Sequence, residues 1–316
     1  VTQWAPFLAL IVVLTLLLLV LARLSQDAIE EYAPEDVDES TSESRSPSTP
    51  GDVDGFIPEE TASITVENDE SDWAYELPLE DGQMEPRTSE AGAFPANRRE
   101  KRDAGEDIVL TPGMLMANVA LTQGLVVGVL LAGVWYFDVP AAALGVTDDP
   151  LSTGLPAVVV GVAFGAVLWI ANDMSTTLAD AVGASYDEHV RELLAPESAG
   201  GWVVLFVGVL PLIAFAEELL FRAALIGVPA AGFDVNIWVL AALSSVAFAL
   251  GHGAQGRVGV IVTGALGFVL AAGYVVTDSL VVVVVAHYII NALEFFVHEF
   301  LDIDAGIGDW LLKQLT

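Results

Sequence analysis

Residues 202–226 read WVVLFVGVLPLIAFAEELLFRAALI, an apolar run interrupted by charge only at Glu217, Glu218 and Arg222. A helix of about 20 apolar residues crosses the ~30 Å hydrocarbon core of a bilayer, so this stretch is long enough to span one. An ionised group inside such a span costs roughly 2.5–3.5 kcal/mol on insertion scales, which makes three of them together a candidate functional site. Glu218 and Arg222 stand four residues apart, on one helix face, where a carboxylate can neutralise a guanidinium. Glu217 is rotated about 100° from Glu218 by the helical period and is not the natural partner of Arg222. One acid is thus assigned to structure and the other is left free to work.

Working outward, similar runs recur at 4–22, 112–136, 155–172, 236–252, 257–276 and 278–300, giving about seven spans. The predicted fold class is all-α, a polytopic transmembrane helix bundle with a disordered acidic linker. With 54% hydrophobic residues and a mean hydropathy of +0.61, the 316-residue chain is no ordinary cytosolic protein. It nevertheless carries 43 acidic against 11 basic residues, for a net charge of −32. That balance argues against a nucleic-acid partner, since phosphate binding needs clustered cations. Residues 26–107 hold 25 of the 43 acidic residues among Ser, Thr and Pro and few apolar side chains, too little to offset chain entropy. A short contact around Trp73 and Tyr75 is conceivable within it. The predicted organisation is therefore a retained transmembrane anchor over 1–25, an acidic disordered linker over 26–108, the bundle over 109–301, and a short amphipathic tail over 302–316. With no cysteine, disulfides, thiolate ligands and a cysteine nucleophile drop out.

Residues 174–200 alternate apolar and charged positions at helical spacing, which predicts an amphipathic helix along the membrane surface. Gly124-xxx-Gly128 and Gly161-xxx-Gly165 predict close helix packing in lipid. Arg23, Arg98, Arg99, Lys101, Arg102, Arg191, Arg257 and Lys313 fall on one side of a seven-span alternation. The retention of cations inside then places linker and C-terminus in the cytoplasm of a multi-pass cell-membrane protein.

Further polar groups lie in or at the ends of spans: Phe248-xxx-His252 closes the fifth, and His287-xxx-Asn291 forms an i,i+4 pair in the seventh. A single buried imidazole is more often a hydrogen-bonded core residue than a ligand. A carboxylate, two imidazoles and an amide on three spans are what hydrolysis needs: a base for water, donors for an oxyanion, and groups that orient them. Glu294 and His298 continue the His287–Asn291 face, either lining a water path or facing headgroups. His189, between charged neighbours, reads as a solvated surface residue, and Asn172 and Asp173 as interface residues ending the third span.

Glu217-Glu218-xxx-Arg222, Phe248-xxx-His252 and His287-xxx-Asn291, in that order on successive helices, resemble the three motifs of the CPBP family of intramembrane proteases. This family is also called the Abi or type II CAAX prenyl protease family. The resemblance covers about residues 112–300. It implies that Glu217 activates the attacking water, that His252 helps hold it, and that His287 with Asn291 stabilises the oxyanion. It further implies that Glu218 and Arg222 brace the site and that Phe248 lines its wall. A membrane-embedded or membrane-associated peptide would be the substrate, and prenylated CAAX processing the name-giving activity. Members are annotated both as metalloproteases and as glutamate-dependent hydrolases without metal. Glu217, His252 and His287 could form a zinc ligand set, although no HExxH occurs, His298-Glu299-Phe-Leu-Asp302 lacking the second His.

Two features depart from the pattern: Ala223 stands where relatives often have Gly, and the loop 227–235 has no Lys or Arg. The predicted boundaries also disagree in depth. Glu217 lies about 14 Å from a span end at Ile226, whereas His252 lies about 24 Å from the same-side end at Asn236. Two other functions fit buried charge in a membrane bundle. One is a catalytically silent immunity or scaffold protein, in which every motif position is filled without turnover. The other is an ion or proton transporter, disfavoured by the lack of an internal repeat.

Overall fold

The computed structural model describes residues 1–32, 111–181, 189–301 and 303, and every regular element among them is helical. Seven principal helices are α1 (Trp4–Tyr32), α2 (Pro112–Tyr136), α3 (Leu155–Ala181), α4 (Ala199–Phe233), α5 (Ile237–Gly251), α6 (Gly256–Thr277) and α7 (Leu280–Phe300). Six are long and apolar enough to cross a membrane. The fifth of the seven sequence-predicted spans is the exception: α5 has only 15 residues, a rise of about 22 Å. Most of the acidic linker with Trp73 and Tyr75, and the C-terminal tail apart from its Ile303, lie outside the described residues.

Local chemistry sets the boundaries. Thr111 accepts from the backbone N–H of Met114 ahead of Pro112, capping α2, and the Asn236 side chain accepts from Trp238 and Val239 to open α5. Ser279 caps α7 by accepting from Val282. Asp234 and Asp278 take left-handed backbone conformations just after α4 and α6, reversing the chain towards the next helix. Gly145 also has positive φ (+71°), and a Cβ there would meet Tyr274 and the backbone of Leu280, so glycine is required twice over.

In α4 the helix widens to π geometry over Leu205–Val209 and again over Leu219–Gly227. Each widened stretch ends two residues before a proline, Pro211 and Pro229, whose missing N–H and ring crowding disturb the preceding turn. The helix continues past the predicted end at Ile226 to Phe233. Those added residues supply about 10 Å of rise, which removes the depth mismatch between Glu217 and His252.

The helices share one packed interior. Phe7 and Ile11 of α1 are fully buried against α2, α4 and α5, so the N-terminal helix is part of the bundle's core. The small-residue motifs behave differently from each other. A Cβ on Gly161 or Gly165 would fall within 3 Å of the α7 backbone at Val282 or Ala286, so α3 and α7 touch through these glycines as predicted. At Gly124 and Gly128 no atom lies within 4 Å of that position, and the packing role predicted for this pair is not observed. The amphipathic surface helix expected over 174–200 is also replaced: α3 runs on to Ala181, and a short helix, His189–Leu194, precedes α4. Residues 182–188 and the His189 side chain lie outside the described residues.

Candidate active site

The widened stretch of α4 begins just after Glu218, and α5 and α7 pack against that part of the helix. Glu218, wholly buried, is the hub. Its Oε1 accepts from Arg222 Nη1 at 2.8 Å and from His287 Nδ1 at 2.7 Å. Arg222, also buried, donates from Nη2 to the Gly267 carbonyl of α6 at 3.0 Å and stacks its guanidinium 4.6 Å from the centre of the Phe248 ring. The pairing predicted from the i,i+4 spacing is thus present. What the sequence did not reveal is that the same carboxylate oxygen also holds His287, joining α4, α6 and α7 through two side chains.

Phe248 does more than line a wall. Its ring lies 4.5 Å from that of His252 and 6.2 Å from that of His287, and its carbonyl takes the His252 Nδ1 hydrogen bond at 2.9 Å. Both imidazoles therefore have Nδ1 engaged, by a backbone carbonyl or by a carboxylate, which leaves Nε2 as each ring's working nitrogen. His252 occupies the C-cap of α5, where the chain turns out of the helix.

His252, His287, Asn291 and Phe248 line one cavity of about 220 Å³, together with Leu210, Ile213, Leu270 and other apolar residues. Four of the seven residues singled out from the sequence thus share a void large enough for several waters. Glu217 does not line it. Its Oε2 is buried with no hydrogen-bond partner among the described residues, 3.7 Å from His287 Nε2. That gap is too long for a direct hydrogen bond and too short for a water to stand between the two atoms.

Part of the cavity lining is charged. Glu294 lines it and accepts from Trp169 Nε1 at 3.0 Å and from Arg191 Nη1 at 2.8 Å, while Arg191 Nε donates to Glu299 at 2.7 Å. His298 Nε2 lies 3.7 Å from Asp173 Oδ1. Glu294 and His298 thus belong to a network within the bundle, not to a headgroup-facing pair. Asn172 lines the cavity and Asp173 is 3% exposed, so both residues face the bundle near the end of the third span. Sequence reasoning also passed over Gln255 and Thr263, which line the same cavity and whose side chains are bonded to each other. A polar residue three positions after His252, in a glycine-rich turn, was the available signal.

The outward Nε2 atoms, with each Nδ1 held by an acceptor, match the way metal-ligating histidines are oriented. The third donor is lacking: among the described residues no three His, Asp or Glu side chains converge closely enough to hold a metal ion. The set Glu217, His252 and His287 is therefore not a preassembled zinc site in this arrangement.

Residues 199–293 match the family model described as type II CAAX prenyl endopeptidase Rce1-like. This segment contains α4, α5, α6 and most of α7, and with them all seven motif residues, in agreement with the CPBP resemblance. Neither a curated protein nor a solved structure matches the chain. The apolar helices support a multi-pass membrane protein, and the family match, over less than a third of the chain, marks α4 to α7 as similar to a type II CAAX prenyl endopeptidase domain.

Proposed function

We propose that the chain hydrolyses a peptide bond of a membrane-associated, CAAX-type substrate with Glu217 as general base for water. The observation that carries the reading is the partnerless buried oxygen of Glu217 facing the free nitrogen of His287 at 3.7 Å. A buried carboxylate oxygen left without a partner is costly, and a small turn of the Glu217 side chain towards the cavity would give it a water to bind. His287 borders both the Glu217 carboxylate and the cavity that His252 and Asn291 line, so the base stands one side chain away from the space open to water and substrate.

In the attack, the water oxygen bonds to the scissile carbonyl carbon as Glu217 takes its proton, and the carbonyl π electrons move to oxygen. With its Nδ1–H given to Phe248, His252 presents Nε2 as an acceptor for the water's second hydrogen. The oxyanion is met by the Asn291 amide and, when its Nε2 is protonated, by His287, whose ring is fixed by Glu218. Glu217 then passes its proton to the departing nitrogen as the C–N bond breaks, leaving a carboxylic acid and an amine. Arg222 holds Glu218 in place through its hydrogen bond and touches no reacting atom. No step is routed through a metal.

The test is purified protein in detergent micelles with a prenylated CAAX peptide, following release of the C-terminal tripeptide by mass spectrometry. Stoichiometric metal analysis is made on the same sample. Release by a preparation holding far less than one metal per chain supports the reading. Activity that tracks bound zinc and is lost on chelation overturns the metal-free step. Absence of any hydrolysis overturns the function.

A further inference from the structure

Part of the cavity lining comes from the turn that joins α5 to α6, through His252 and Gln255. His252 ends α5, a 3₁₀ turn over Gly253–Gln255 follows, and Gln255 N–H donates to the His252 carbonyl at 3.1 Å. Gly256, at φ +73°, then lets the chain enter α6 directly. Gln255 is thereby held at a fixed distance from a proposed catalytic imidazole.

Its side chain is fixed as well. Threonines inside helices usually return their hydroxyl proton to the carbonyl four residues earlier, and Thr15, Thr122, Thr177 and Thr277 of this chain all do so. Thr263 departs from that habit. Buried on the α6 face that also carries Gly259 and Gly267, it donates to Gln255 Oε1 instead. With the amide oxygen occupied, the Gln255 NH₂ group keeps two donors, and both Gln255 and Thr263 line the cavity shared with His252, His287 and Asn291. A donor pair in a largely apolar pocket that also holds the proposed oxyanion amide suits an acceptor on a bound chain, and a peptide offers one at every backbone carbonyl.

We propose that Gln255 is a substrate-binding residue whose Nε2 donates to a backbone carbonyl beside the scissile bond, with Thr263 as the positioning residue that aims it. The peptide would then cross the cavity held by the amides of Gln255 and Asn291. This rests on the peptidase reading but makes a separate claim, since Gln255 takes no part in the proton transfers.

Two isosteric exchanges isolate the donors. Gln255→Glu keeps an acceptor for Thr263 and removes the NH₂ group, and Thr263→Ser keeps the hydroxyl that Thr263→Val deletes. Binding is read by fluorescence anisotropy of a labelled prenylated CAAX peptide in a Glu217→Gln background, where no cleavage is expected. Kinetics are read in the parent background. Expected are a roughly tenfold weaker Kd for Gln255→Glu and Gln255→Leu, about the worth of one hydrogen bond. Thr263→Val should be weakened severalfold, Thr263→Ser should be close to parent, and in the kinetics KM should rise while kcat holds within about threefold. Because both acts run through one group, adding Thr263→Val to Gln255→Leu should cost little more. Unchanged Kd and KM in Gln255→Glu, with the same thermal unfolding as parent, overturns the inference alone. A fall in kcat at constant KM also overturns it. Failure of the Glu217→Gln protein to bind the peptide at all overturns it together with the peptidase reading.

Discussion

At the residue scale the chain's economy lies in Glu218, one oxygen of which serves Arg222 and His287 together. Buried ion pairs contribute little net stability, but removing one partner leaves the other charge buried and uncompensated. Arg222→Ala is therefore expected to destabilise the protein by about 3–5 kcal/mol, seen as a large drop in the thermal midpoint in detergent. The same substitution in a Glu218→Gln background should cost clearly less, because no bare carboxylate remains. Equal losses in both backgrounds would show that Arg222 acts through its contacts with Gly267 and Phe248. The Glu218–Arg222 pair was legible because i,i+4 geometry is a local property of a helix. The Glu218–His287 bond was not, because it joins residues 69 apart whose proximity depends on how α4 and α7 pack. The burial of Glu217 behind His287 was hidden for the same reason.

At the scale of elements, apolar length located every principal helix, and what escaped were the ends and the contacts. The boundary of α4 was misplaced because π-helical widening and a tolerated Pro229 carry the helix beyond Ile226. A proline is a stop signal in a soluble helix and a weaker one in a packed membrane helix. The two Gly-xxx-Gly motifs were indistinguishable as sequence, yet only Gly161 and Gly165 meet a neighbouring backbone. A Cβ at Gly165 would stand 2.5 Å from the Ala286 carbonyl, next to His287. Gly165→Val should therefore cost about 1–3 kcal/mol by overpacking and, by shifting α7, reduce cleavage more than it reduces folding. Gly124→Ala should be neutral or slightly stabilising, since it adds helix propensity into open space. Thermal unfolding and initial rates on the two variants check both statements. A tolerated Gly165→Val would mean that α3 and α7 are not held at this distance.

At the scale of the whole molecule, helix order fixes which loops share a side. The turns at Asp149 and Asp234 lie at one end of the bundle, while Glu197 and Arg257 precede or begin helices that start at the other. Arg23, Arg191 and Arg257 all lie at that second end, the side the charge rule assigns to the cytoplasm. The absence of cysteine makes the arrangement easy to probe. Single-cysteine variants at 149 and 234 should react with a membrane-impermeant maleimide from one face of sealed vesicles, and those at 197 and 257 only from the other. Labelling of 197 and 234 from the same face would break the crossing of α4.

All three scales converge on Glu217, whose buried oxygen has no hydrogen-bond partner among the described residues and lies beside His287. The direct test is the initial rate of peptide hydrolysis by Glu217→Gln beside the parent, at matched circular dichroism and thermal midpoint. The substitution preserves shape and removes the base, and loss of a general base lowers rates by about 10²–10⁴-fold, so cleavage should fall to the detection limit in a folded protein. Hydrolysis by the variant at the parent's rate would contradict the assignment of Glu217 as the group that activates water.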